Sequence, residues 1–173
     1  MIRSEAVDDP LQTLLLERNG WVPNNPRLRV LIYIKAIAAK GKDPAALFEQ
    51  IFSAHGWPPQ WRDGVYDYHH YHTQGHEVLG IARGYARLML GGPDGRVLEV
   101  SDGDVLLLPA GTGHCNIESS DDFLVVGAYP PGQHADICRE APNPAQLANI
   151  DKLPFPGQDP VQGPHGAVNR YWL

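Results

Sequence analysis

The chain has 173 residues and carries 14 basic against 20 acidic side chains, a net charge of −6. That length suits one domain with terminal extensions and is enough to bury a core without disulfide staples. The scattered arginines form no basic stripe, which excludes a nucleic-acid surface, and no apolar run approaches membrane-spanning length. The first residues lack an apolar signal core, so the expected location is cytoplasmic. Eighteen glycines and sixteen prolines are an excess that favours many short strands joined by turns. The two cysteines, Cys115 and Cys138, form no CxxC pair and no disulfide framework.

Residues 1–27 read as an extended leader, with one short strand around Leu14–Leu16 and a turn at Pro23-Asn24-Asn25-Pro26. From Leu28 to Ala38 the chain has the alternation and β-branched content of a strand. A helix follows over about 44–55. Asp43 suits its N-cap, Pro44 its first position and Gly56 its stop, while Leu47, Phe48, Ile51 and Phe52 share one face. Between residues 64 and 129 short apolar stretches alternate with turn signals. The expected strands are 66–72, 77–83, 85–90, 97–100, 105–108, 114–118 and 123–129. Strands spaced this way build an antiparallel sandwich or barrel. The last 35 residues are proline-rich, with a helical turn or two after Asn143-Pro144, and Trp172 implies a tail that docks on the body.

The chemistry concentrates in one stretch. His69, His70, His72 and His76 lie within eight residues. Alternate strand residues share a face, so His70 and His72 point one way while His69 and Tyr71 point the other. Glu77 opens the returning strand of a hairpin that brings its carboxylate back beside them. His114 follows the turn Pro109-Ala110-Gly111-Thr112-Gly113 and supplies a further imidazole. Three imidazoles and one carboxylate suit Fe, Mn, Co, Ni, Cu or Zn. His69 and His76 are expected to face outward as ordinary polar residues, and Tyr68 to fill space beside His70. Cys115 is expected to point away from the metal side. The glycine-rich run 91–95 lacks the Lys-Ser/Thr of a phosphate loop, and no nucleophile-elbow sequence is present.

These residues fall on two spaced motifs that resemble those of the cupins. Gly64, His70, His72, Glu77 and Gly84 match the first at every spacing; Gly103, Pro109, Gly111 and His114 match the second. Glu118 stands where the second motif has asparagine, which bears on strand packing rather than on the ligand set. Pro23-Asn24-Asn25-Pro26, Tyr68–His72, His76–Gly80 and the tail ending Tyr171-Trp172 extend the likeness to small bacterial YjlB-like cupins. The resemblance implies an all-β fold: a single double-stranded β-helix (jelly-roll) barrel over 28–138, with the helix inserted outside it. The 1–27 leader and the 139–173 tail would pack around that barrel. It also implies one divalent transition metal on His70, His72, Glu77 and His114. The function expected is that of a metal-dependent enzyme, of oxygenase or isomerase type, acting on a small polar organic molecule. The alternative is a non-catalytic small-molecule-binding or sensing module. A homodimer is expected, with the apolar strand at 28–38 at or near the interface, because an uncovered edge of that kind aggregates; the competing expectation is cover within the chain by the leader around Leu14–Leu16 or by the tail near Trp172.

Overall fold

The computed structural model describes residues 10–173. Nine strands and three helices follow one another in this span. β1 (Leu11–Leu14) and β2 (Val30–Tyr33) precede α1 (Pro44–Ala54). Seven strands follow it: β3 (Pro59–Asp63), β4 (Glu77–Arg83), β5 (Tyr85–Leu90), β6 (Arg96–Ser101), β7 (Val105–Leu108), β8 (His114–Ser119) and β9 (Leu124–Ala128). The chain closes with α2 (Pro144–Lys152) and α3 (Ala167–Tyr171). The fold is mostly β, with antiparallel pairing throughout. Six strands form one sheet in the order β1-β2-β7-β4-β9-β3, and three form a second in the order β6-β5-β8. No ladder joins the two sheets among the described residues. The observed architecture is therefore two packed sheets, where the sequence implied a single closed barrel.

The two-residue period of a strand divides the core in two. On β2, Val30 and Ile32 face the second sheet while Leu31 and Tyr33 face the helix layer. On β4, Leu79 and Ile81 point between the sheets and Val78 and Ala82 point outward. Leu88, Leu90, Leu98 and Val100 answer from the three-stranded sheet. The outer layer is built by Phe48 and Phe52 of α1, with Trp57, Val168 and Trp172 packed beside them. Both faces of the large sheet are thus covered, which is why β2, β4 and β7 read as nearly continuous apolar runs.

Several boundaries differ from the sequence reading. The strand expected over Leu28–Ala38 is only Val30–Tyr33, and the leader strand lies at Leu11–Leu14 rather than Leu14–Leu16. β2 is no open edge: Gln12 pairs with Ile32 on one side and Leu106 on the other. The edge that motivated a subunit interface at 28–38 is covered within the chain. Residues 66–72 do not form a ladder strand. His70 makes an isolated bridge to His114, and Tyr71 makes one to Cys138 on the opposite side. β3 was not foreseen; its sequence, Pro-Gln-Trp-Arg-Asp, has none of the expected β-branched residues.

The tail is anchored by buried polar groups. Asp159 accepts from the Tyr33 hydroxyl, from the backbone N–H of Val161 and Gln162 at 2.8 Å, and from that of Val168 at 3.0 Å. Trp172 donates its indole N–H to the Arg29 carbonyl at 2.8 Å.

Candidate metal centre

Strand parity aims one row of side chains at a single end of the space between the sheets. Glu77 opens β4 on the same face as Leu79 and Ile81. His114 opens β8, opposite Leu90 on β5. The His70 segment lies against β8, with the His114 N–H donating to the His70 carbonyl at 2.9 Å and the return bond at 3.3 Å. Gly111 then binds the His72 carbonyl at 2.8 Å. Its φ is +93°, and a Cβ there would come 2.6 Å from the Asn24 carbonyl oxygen, so this turn requires glycine.

The three imidazoles of His70, His72 and His114 are buried, and each offers a ligand atom within 4.8 Å of the others. Each Nδ1 meets a backbone carbonyl: His70 that of Tyr68 at 2.9 Å, His72 that of Asp136 at 2.6 Å, and His114 that of Thr112 at 2.9 Å. A carbonyl only accepts, so each ring carries a proton on Nδ1, which leaves Nε2 as the atom turned to the common site. Glu77 is 3 % exposed, and its Oε1 lies 3.4 Å from His72 Nε2 and 3.3 Å from His114 Nε2. Two ligand atoms that share a metal at bond lengths of about 2.1 Å lie about 3.0–3.4 Å apart, so these gaps fit an ion between them. The second carboxylate oxygen, Oε2, accepts from the Tyr129 hydroxyl at 2.7 Å, and Tyr129 accepts from the Trp61 indole N–H at 2.7 Å.

Charge follows the same geometry. For Glu77 burial acts to raise the carboxyl, yet the two facing imidazoles hold it well below the usual range. For His72 burial pulls downward, and the Glu77 carboxylate with the Asp136 contacts outweighs it, leaving the ring raised. His70 falls to about 3, through burial first and then the neighbouring His114. A site that keeps one carboxylate ionised and one imidazole neutral in a desolvated pocket is electrostatically prepared for a cation.

The four expected ligands thus come together. Their neighbours were less legible. His76 is fully buried rather than outward-facing: its Nδ1 accepts from the Ala110 N–H at 2.9 Å, and its Nε2 faces the Leu153 carbonyl at 3.2 Å. With both ring nitrogens engaged it supports the 109–113 turn. Tyr68 is half-buried beneath the Arg139 guanidinium, 4.0 Å above its ring. Glu118, in the place of the motif asparagine, is exposed beside Arg87 and far from the ligand end of β8.

The sequence reading missed Trp61, Tyr129, Asp136 and Asn24. Asp136 fixes the His72 loop by accepting from Thr73 N and Oγ1 at 2.8 and 2.6 Å and from Gln74 N at 3.0 Å. Asn24 is buried and binds Gly113 N at 3.0 Å and the Gly91 carbonyl at 3.2 Å, tying the His114 turn to the β5–β6 hairpin. The prior signals for Asn24 were its place in the Pro23-Asn24-Asn25-Pro26 turn and the share of that segment in the family likeness, neither of which gave it a partner.

No protein-family model matches the chain. A crystal structure of a DUF861 family protein from Thermotoga maritima aligns with a TM-score of 0.32 at 20 % identity, covering 51 % of this chain and 92 % of that one. The uncharacterized protein YjlB of Bacillus subtilis (strain 168) is 35 % identical over 164 residues, which span 94 % of this chain and 96 % of the relative. Identity of that extent over nearly the whole of both chains places the chain in the YjlB family of small cupins.

Proposed function

We propose that the protein holds one divalent transition metal on Nε2 of His70, His72 and His114 and on the Glu77 carboxylate, and that it acts on a small organic molecule bound above that metal. The supporting observation is the orientation of the three rings. Each Nδ1–H is spent on a carbonyl, which leaves the three Nε2 atoms for the site, and those of His72 and His114 lie 3.4 and 3.3 Å from one Glu77 oxygen in the lining of a cavity. Such a donor set accepts Fe, Mn, Co, Ni, Cu or Zn. When bound, the metal supplies Lewis acidity and free coordination positions. The chain's own contribution is to hold the ligands in one tautomer, to fix Glu77 through Tyr129, and to limit water around the floor. An oxygenase or isomerase is the reading this arrangement supports best, carried by residues 28–138.

The test is elemental analysis of protein purified without a nickel column, followed by an oxygen-consumption screen. The expected result is close to one transition metal per chain in the wild type and a loss of most of it in His72→Ala. Equal metal content in the two proteins would count against the ligand set. A stoichiometric metal with no turnover in the screen would favour the binding-module alternative.

A further inference from the structure

The cavity above the histidines has walls and a rim that bear on what it admits. Its volume is about 490 Å³, within the range of small-molecule sites. The polar atoms are gathered at the floor, where His70, His72, His114 and Glu77 are buried. The walls are Trp61, Val65, Leu79, Tyr129, Ala135 and Ile137. At the mouth Tyr66 is 53 % exposed and stacks on Tyr68 with ring centres 4.9 Å apart. The remaining charged group of the lining is the Asp63 carboxylate at the exposed end of β3, where its Oδ1 accepts from Gly64 N at 2.8 Å.

Among the described residues, no lysine or arginine lines this cavity. The cations close to it in the chain are engaged elsewhere. Arg62 lies between Trp61 and Asp63 but points to the opposite face of the sheet, where it pairs with Asp43 at 2.9 Å and Glu49 at 2.5 Å. Arg139 lies over the Tyr68 ring, outside the lining. An anionic group on the far end of a bound molecule would meet the Asp63 carboxylate and no counter-charge from the described lining, within walls that solvate it poorly.

We infer that the site takes an uncharged, largely apolar ring compound that presents oxygen to the floor, and that Asp63 rejects analogues carrying a carboxylate at the other end. This inference rests on the metal-site reading above. It makes Asp63 a specificity determinant acting through repulsion, a role distinct from metal binding.

A matched pair of probes tests it. 4-Methylcatechol and 3,4-dihydroxybenzoate share the oxygen head and differ in a methyl against a carboxylate tail. Both are titrated into full-length cobalt(II)-loaded protein of measured cobalt content, followed by the cobalt absorption bands and by isothermal titration. The expected result is at least about tenfold tighter binding of the methyl compound, a gap that Asp63→Lys narrows to about threefold or less by recruiting the carboxylate. Loaded protein that prefers the benzoate, binds neither probe, or keeps its gap in Asp63→Lys would overturn the substrate class and leave the metal reading standing. Cobalt content near zero would overturn the metal reading and this inference with it.

Discussion

His70, His72, His76 and His114 are all buried, and the partner of each Nδ1 separates them. In three the atom faces a carbonyl and must carry the proton; in His76 it accepts from Ala110 N–H and so bears a lone pair. His76 therefore has its proton on Nε2, facing the Leu153 carbonyl, and offers the site nothing. Burial lowers this ring from 6.5 to about 4. The unfolded chain then takes up the proton first on acidification, so the contribution to stability is complete above pH 6.5 and is lost as pH falls towards 4. Urea unfolding of metal-free protein should show His76→Gln losing about 3 kcal/mol less than wild type across that window. An identical acid slope in both proteins would refute the assignment. Tyr129 is the second residue to examine at this scale. Tyr129→Phe removes the hydroxyl that holds Glu77 Oε2 and leaves the Trp61 N–H unpaired. Metal affinity, measured by competition with a chromophoric chelator, should fall about 10–100-fold while the four candidate ligands remain. An unchanged affinity would show that Glu77 is oriented without it.

At the scale of elements, β4 carries the site on one face and the helix layer on the other. Glu77 and Leu79 line the cavity, whereas Gly80 lies under α1. A Cβ on Gly80 would come 2.5 Å from Phe48 and 3.0 Å from Phe52, both fully buried rings with nowhere to move. Gly80→Ala should cost about 1–3 kcal/mol in urea unfolding through overpacking. A stability equal to wild type would mean that α1 shifts freely on the sheet. Gly127 plays the matching part on β9, where the Trp61 ring occupies the place of a side chain. The helix was visible beforehand from Asp43-Pro44 and its apolar face. β3 was hidden, because Trp61 is its one strand-favouring residue and Arg62 is held by Asp43 and Glu49 of the α1 layer.

For the whole molecule, edges decide behaviour. β3 begins with Pro59 and carries Arg62 and Asp63, which discourage pairing by another chain. β2 has no such protection: Val30, Leu31, Ile32 and Tyr33 are all buried, and β1 closes their open side. A chain beginning at Glu17 would expose that edge. Light scattering should show the truncated protein forming species heavier than the full-length 19.1 kDa chain does at the same concentration. Identical masses would show that β1 is dispensable as a cover.

Much of this was legible in the sequence because it depends on local rules. The periods of 2 and 3.6 disclosed the strands of β4 to β9 and the helix α1, and the spacing of His70, His72, Glu77 and His114 marked the residues that the structure brings together. What tertiary structure decided was where each backbone and ring polar group found its partner. His76 reads as an outward-facing polar residue until Ala110 and Leu153, 34 and 77 residues away, claim both its nitrogens in the interior. The leader's short strand has no settled partner until β1 pairs with β2, and the Trp61–Tyr129–Glu77 chain joins segments that share no local pattern. Periodicity assigns a side chain to a face. The partner on that face comes from a distant part of the chain, and only packing the two sheets brings it within hydrogen-bonding distance.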